Sequence, residues 1–144
     1  MTEVGFYHCT RTPAEDAAVR LVARAYGAGH RVLLVADPEA LTRLDDRLWA
    51  EPEASFLPHG LDDAPNQPIL LSEGFDPANG ADLLLSLAAG LPETLTSFAR
   101  VINLFEDQTP AHARARRDWA DVKSNRALTP CLWKQQGNKW VKSA

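Results

Sequence analysis

The chain has 144 residues, 45% apolar and 24% charged, with 15 basic against 19 acidic side chains and a net charge of −4. That length fits one domain, the apolar fraction can build one core, and the acidic balance speaks against a general affinity for nucleic acid. No apolar run approaches the roughly 20 residues a membrane helix needs, and Met1-Thr2-Glu3 lacks the basic region of a signal peptide, so a cytoplasmic protein with no membrane contact is expected.

In chain order, Val4-Gly5-Phe6-Tyr7-His8-Cys9 reads as a first strand. Thr12-Pro13-Ala14-Glu15 predicts a capping box with proline at the first helical position. Ala18, Leu21, Val22 and Ala25 form one apolar stripe on that helix, and Gly27 and Gly29 stop it. Val32 to Ala36 is an unbroken apolar run, the pattern of a strand buried on both faces. Asp37-Pro38 starts a second helix with Leu41, Leu44 and Leu48 on its inner face and Pro52 just beyond its end. A short extended piece, Ser55 to Pro58, follows. Further strands are expected at Ile69–Leu71, Asp82–Leu87 and Val101–Phe105, with loops at 60–68 and 73–81 where Asp, Pro, Asn and Gly gather. A last helix begins after Thr109-Pro110 and runs to about Asn125, with Ala115, Trp119 and Val122 inward. Residues 1–128 are expected to form a single α/β domain, with 129–144 an irregular basic tail carrying Trp133 and Trp140. Strands alternating with helices imply right-handed crossovers and a mainly parallel sheet flanked by helices.

Charge is unevenly spread. Residues 1–110 hold 7 Lys and Arg against 17 Asp and Glu, whereas residues 111–144 hold 8 against 2. An acidic body with a basic end points to a local anion site at that end. Cys9 and Cys131 lie far apart, form no CxxC pair and read as free thiols of a reducing compartment.

Motifs for chemistry are missing. The first strand-to-helix turn, His8-Cys9-Thr10-Arg11-Thr12, has no glycines for a dinucleotide pyrophosphate, and no GxxxxGK[ST] occurs. A cysteine phosphatase needs an arginine six residues after its nucleophile; Glu15 stands there. His8, His30, His59 and His112 lack metal-ligand spacing, and GxSxG and HExxH are absent. No catalytic residue, metal or cofactor is expected.

Two stretches are unusual. In Arg43 to His59, Leu44 and Leu48 take the core face of the helix, so Trp49, rotated about 100° from Leu48, falls at the rim. Phe56 follows shortly after. A rim Trp beside a Phe has the composition of a protein-binding hot spot. In Arg114-Ala115-Arg116-Arg117-Asp118-Trp119, Arg116 and Trp119 are three apart and neighbour each other on the helix surface. A cation beside an aromatic can hold a group that is both anionic and apolar.

These stretches resemble the chi subunit family of bacterial DNA polymerase III. The pattern Leu-Asp-x-x-Leu-Trp-Ala-x-Pro-x-x-Ser-Phe-x-Pro-His at residues 44–59 carries most of the likeness. Phe6-Tyr7, Gly29-His30-Arg31-Val32-Leu33 and Ala113-Arg114-Ala115-Arg116 support it. The resemblance implies a fold like those that bind nucleotides but without a nucleotide, and no enzymatic activity. It implies an adaptor role in DNA replication with two partners: the psi subunit of the clamp loader, and the C-terminal tail of single-stranded-DNA-binding protein, with DNA engaged only indirectly. By the family's pattern, psi would meet Trp49, Pro52 and Phe56. The tail would meet Arg116, with Trp119 in the place of a Tyr. The basic residue that usually follows that aromatic is here Ala120, leaving Arg117 and Lys123 to contribute. The competing reading from composition is direct binding of single-stranded nucleic acid by the basic C-terminal segment, with Trp133 and Trp140 stacking on bases.

Overall fold

In the computed structural model, which describes residues 2–50, 57–87, 91–92, 94–136 and 139–143, eight strands form one sheet. They are β1 (Thr2–Cys9), β2 (Val32–Val35), β3 (His59–Gly60), β4 (Ile69–Ser72), β5 (Leu83–Ser86), β6 (Arg100–Glu106), β7 (Leu128–Gln136) and β8 (Lys139–Lys142). The helices are α1 (Ala14–Gly27), α2 (Pro38–Ala50) and α3 (Pro110–Ser124). The order across the sheet is β3-β4-β2-β5-β6-β1-β7-β8, all pairs parallel except the β7–β8 hairpin. The chain is therefore α/β with a mainly parallel sheet, as the alternation of strands and helices predicts.

Both faces are covered, so β2 and β5 are buried along their whole length and are apolar but for Ser86. On one face α1 and α2 bury Ala18, Val22, Leu41, Leu44 and Leu48 against Leu34, Leu85 and Leu104. On the other, Ala115 and Val122 of α3 join Leu95 and Phe98 over Val4, Phe6, Leu84 and Val101. The expected apolar stripes of all three helices thus face the sheet, with Trp119 half-buried at the margin.

Two helix starts follow the sequence and one does not. Asp37 Oδ1 accepts from Ala40 N at 2.8 Å, and Thr109 Oγ1 from His112 N at 3.2 Å. The capping box expected at Thr12 does not form: Pro13 is the cap residue, and no side chain within that turn caps α1. Ala14 N instead donates to Glu106 Oε2 on β6 at 2.9 Å, and the Thr12 hydroxyl accepts from Gln135 Nε2 at 2.7 Å.

The expectation of an irregular tail over 129–144 is corrected. Residues 128–136 run parallel to β1 from Thr2↔Leu128 to His8↔Lys134, and 139–142 return as β8. Within β7, Pro130 cannot donate to a ladder. It is accommodated because β8 pairs only with Trp133–Gln136, leaving the outer edge of β7 open at residue 130. The 60–68 loop holds β3's last residue and a 3-10 turn at Ala64–Asn66. The 73–81 loop is pinned by Asn79, whose Nδ2 donates to Val32 O (3.0 Å) and Gln67 O (2.9 Å).

Candidate functional site

Ligands of parallel α/β sheets bind beyond the carboxyl ends of the strands. In this chain that edge, at the ends of β1 and β6, carries two environments. The first is the β1–α1 turn. The backbone N–H groups of Thr10, Arg11 and Thr12 converge on one acceptor, Gln135 Oε1, at 3.0, 2.9 and 3.2 Å. Converging amides of this kind are a ready anion cradle, and here β7 fills it with an amide oxygen. Glu106 occupies the start of α1 in the same way. Cys9, at the end of β1, is buried, and burial, aided by Glu106, pushes its thiol up to about 12. A thiol so placed stays protonated and is a poor nucleophile near neutral pH.

The second environment is a cavity of ≈ 500 Å³ between α3, β7 and the ends of β1 and β6. Its apolar wall is Phe6, Phe105, Leu132 and Trp119, and its polar wall is Arg116, Lys134, His8, His112 and Asp107. Trp119 meets Phe6 at 5.4 Å between ring centroids and 76° between planes, an edge-to-face contact that holds the indole in place. Arg116 is exposed and, among the described residues, has no carboxylate within 4.0 Å. Its neighbour Arg114, by contrast, pairs with Asp118 at 3.2 Å.

The histidines come from two elements. His8 on β1 stacks on Phe105 (5.1 Å) and lies 4.4 Å from the ring of His112. His8 Nε2 is 2.8 Å from Asp107 Oδ1. His112 Nδ1 accepts from Gln108 N at 3.1 Å, so its proton sits on Nε2 when the ring is neutral. That bond is set by Gln108, whose φ of 58° folds the β6–α3 turn back on itself. Burial, then His8 and Arg116, hold His112 below the ordinary histidine value, with Asp107 pulling the other way. The ligand atoms of His8, Asp107 and His112 all lie within 4.8 Å of one another, a spacing that could hold a metal ion. The Nδ1 lone pair is already used, and Arg116 and Lys134 line the same space, so the field there favours an anion.

The residues expected from sequence divide accordingly. Arg116 and Trp119 line the cavity together; Arg117 and Lys123 are exposed on α3 and do not line it. His8, Phe105, His112, Leu132 and Lys134 were not legible as site residues, because four elements, β1, β6, α3 and β7, bring them together only in the folded chain. Trp49, at the end of α2, is 62% exposed, its ring 4.4 Å from that of His59. His59 is buried beneath it, its Nδ1 2.8 Å from Leu57 O and its Nε2 3.0 Å from Asp45 Oδ1, the latter an electrostatic contact and not an aligned hydrogen bond. Pro52 and Phe56 lie outside the described residues.

Comparison with known proteins adds an independent line. The family model described as "DNA polymerase III chi subunit, HolC" matches residues 1–141. The chain is similar to the DNA polymerase III subunit chi of Pseudomonas aeruginosa, 35% identical over 126 residues that span 82% of this chain and 86% of that protein. It is 29% identical to the subunit chi of Haemophilus influenzae over 121 residues, 81% of this chain and 83% of the relative. Identity to the subunit chi of Escherichia coli K12 is also 29%, over 120 residues, 71% of this chain and 74% of the relative.

Proposed function

The chain belongs to the DNA polymerase III chi subunit family, and from that premise we propose that it is a cytoplasmic, non-catalytic adaptor with two protein-binding surfaces. Membership makes it an accessory subunit of the replicative polymerase. The finer reading is that one surface, centred on Trp49 with Pro52 and Phe56, takes the psi subunit of the clamp loader. The other, the cavity under α3, takes the acidic C-terminal tail of single-stranded-DNA-binding protein.

The observation that carries the second surface is an exposed Arg116, without a carboxylate partner among the described residues, beside an apolar slot walled by Trp119, Phe6, Phe105 and Leu132. A peptide end offers a carboxylate and an apolar side chain within a few ångströms. A guanidinium pairs with a carboxylate through two parallel N–H donors, and the slot accepts the side chain. Lys134 adds charge that steers an acidic partner. For the first surface, an exposed Trp held against a buried ring is a rigid, amphipathic anchor of the hot-spot type. The filled β1–α1 turn and the protonated Cys9 agree with a binding role. Among the described residues no helix is long and apolar enough to cross a membrane.

The test uses both surfaces at once. An acidic peptide ending in an aromatic residue is titrated calorimetrically, and co-purification with the psi subunit is scored. Trp49→Ala should lose psi by about 2 kcal/mol or more while keeping the peptide, and Arg116→Ala should do the reverse. Loss of both by either variant, with the fold intact by circular dichroism, would sink the two-surface reading.

A further inference from the structure

A second cavity, of ≈ 550 Å³, lies on the opposite face of the sheet, between the C-terminal half of α1, the starts of β5 and β6, and the β7–β8 hairpin. Its wall is aromatic. A Cβ on Gly5 would come 2.6 Å from Tyr7 Cε1, so only a glycine lets the Tyr7 ring lie back over the backbone of β1. There the Tyr7 hydroxyl accepts from Arg100 Nη2 at 2.8 Å. Trp133 lies nearly parallel to Tyr7 at 5.9 Å, and Trp140 stands at 76° to it at 5.0 Å.

The same cavity gathers charge of one sign. Arg24, Arg100 and Lys139 line it, and among the described residues none of the three has a carboxylate within 4.0 Å. In a chain of net charge −4 that is a marked local excess. Two donors of the wall, Arg100 Nε and Trp133 Nε1, are buried and have no acceptor among the described residues. Buried donors are normally paired, because each one left without an acceptor loses its hydration for nothing. The end of α1 beside the cavity opposes an anion through its dipole. Its carbonyls, however, already accept from Ala28, Gly29 and His30, and three cations without a carboxylate partner among the described residues outweigh them.

We propose that this cavity is a nucleotide site, with a phosphate on Arg24, Arg100 and Lys139 and a base against Trp133 and Trp140. A simple inorganic anion would leave the aromatic wall and most of the volume unused. A flat ring carrying a phosphate uses both, and every base offers a face for stacking. A smaller groove of ≈ 110 Å³ continues from the cavity, sharing Arg24, Lys139 and Trp140 and adding Arg20. The same chemistry can therefore come from a free mononucleotide or from one unit of a single strand whose next phosphate reaches Arg20. The site lies on the face away from Arg116 and does not depend on the adaptor reading.

Thymidine monophosphate is titrated by tryptophan fluorescence, and a labelled short oligothymidylate by anisotropy, at low and high salt. Both should bind, and more weakly as salt rises. Arg24 and Lys139 are exposed, so Arg24→Glu and Lys139→Glu should keep the fold and weaken binding about tenfold or more, the scale of a lost hydrogen bond to a charged group. Arg24→Gln and Lys139→Gln should act in the same direction by less, and Arg116→Ala should leave binding unchanged. Equal affinity for both probes assigns the site to a free nucleotide. A large gain with the oligomer, lost on Arg20→Glu, assigns it to a strand. Binding of neither probe, or binding indifferent to residues 24 and 139, overturns the proposal. So does displacement of the nucleotide by the acidic peptide in the Arg116→Ala protein.

Discussion

The β1–α1 turn and the cavity under α3 share one edge of the sheet and the same strand, yet they end differently. In the turn, three backbone donors close on Gln135 Oε1 and the helix start closes on Glu106, so the chain supplies its own acceptors. In the cavity, Arg116 has no carboxylate partner among the described residues, and the apolar wall around it is part-open. Both places would suit an anion on electrostatic grounds. What separates them is whether β7 delivers a side chain to fill the space: Gln135 fills the first, while Lys134, one residue earlier and on the other face, adds charge to the second. An anion cradle is thus evidence for a ligand only once the chain's own side chains have been accounted for.

The largest effect should come from the open side. Arg116→Ala should weaken the acidic peptide by about 1.5–3 kcal/mol, the value of a hydrogen bond to a charged group, and Arg116→Lys should recover only part of it. Arg43 is the control: it is exposed but committed to Glu15 through contacts of 2.7 to 3.2 Å, so Arg43→Ala should leave the peptide unaffected. Equal losses in a calorimetric titration would mean diffuse attraction without a slot.

The closed side should respond in stability. Gln135→Ala removes the shared acceptor of three N–H groups and the donor to Thr12. Because Thr10 and Arg11 can turn to water, the net cost should be roughly 1–2 kcal/mol in denaturant unfolding. The emptied turn should then bind sulfate, raising the variant's melting temperature more than that of the parent chain. A variant indifferent to sulfate would show that the amides hold no anion without Gln135 to align them.

A smaller effect concerns pH. His112 is held below its ordinary value near 6.5, so the folded chain takes up that proton less readily than the unfolded one. Its contribution to stability is therefore complete above pH 6.5 and falls away as the pH drops. Peptide affinity should move the opposite way, rising below pH 6.5 as an imidazolium joins Arg116 in the cavity. His112→Gln should flatten that rise between pH 7.5 and 5.5 in the same titration. The smallest effect is at Cys9: with its thiol at about 12, alkylation at pH 8 should be far slower than for a free cysteine. Cys9→Ala should leave both partners bound.

The strands β1, β2, β4, β5 and β6 were legible because buried parallel strands are runs of apolar residues. The helices were legible from one apolar stripe each, and α2 and α3 also from their caps. Arg116 and Trp119 were legible as neighbours because a helix fixes which residues share a face. What the sequence could not decide is what depends on register between distant segments. The strand at Leu128–Gln136 contains Pro130 and several polar residues. It becomes a strand because α3 returns the chain alongside β1, where seven register pairs offer its backbone a partner. That docking also decides the chemistry of the edge. Alternation along β7 sends Trp133 and Gln135 to the face of α1, and Leu132 and Lys134 to the face of α3. One short segment thus closes the β1–α1 turn, walls the second cavity and completes the first. Local propensity reads each residue alone, whereas these roles exist only after the sheet has paired.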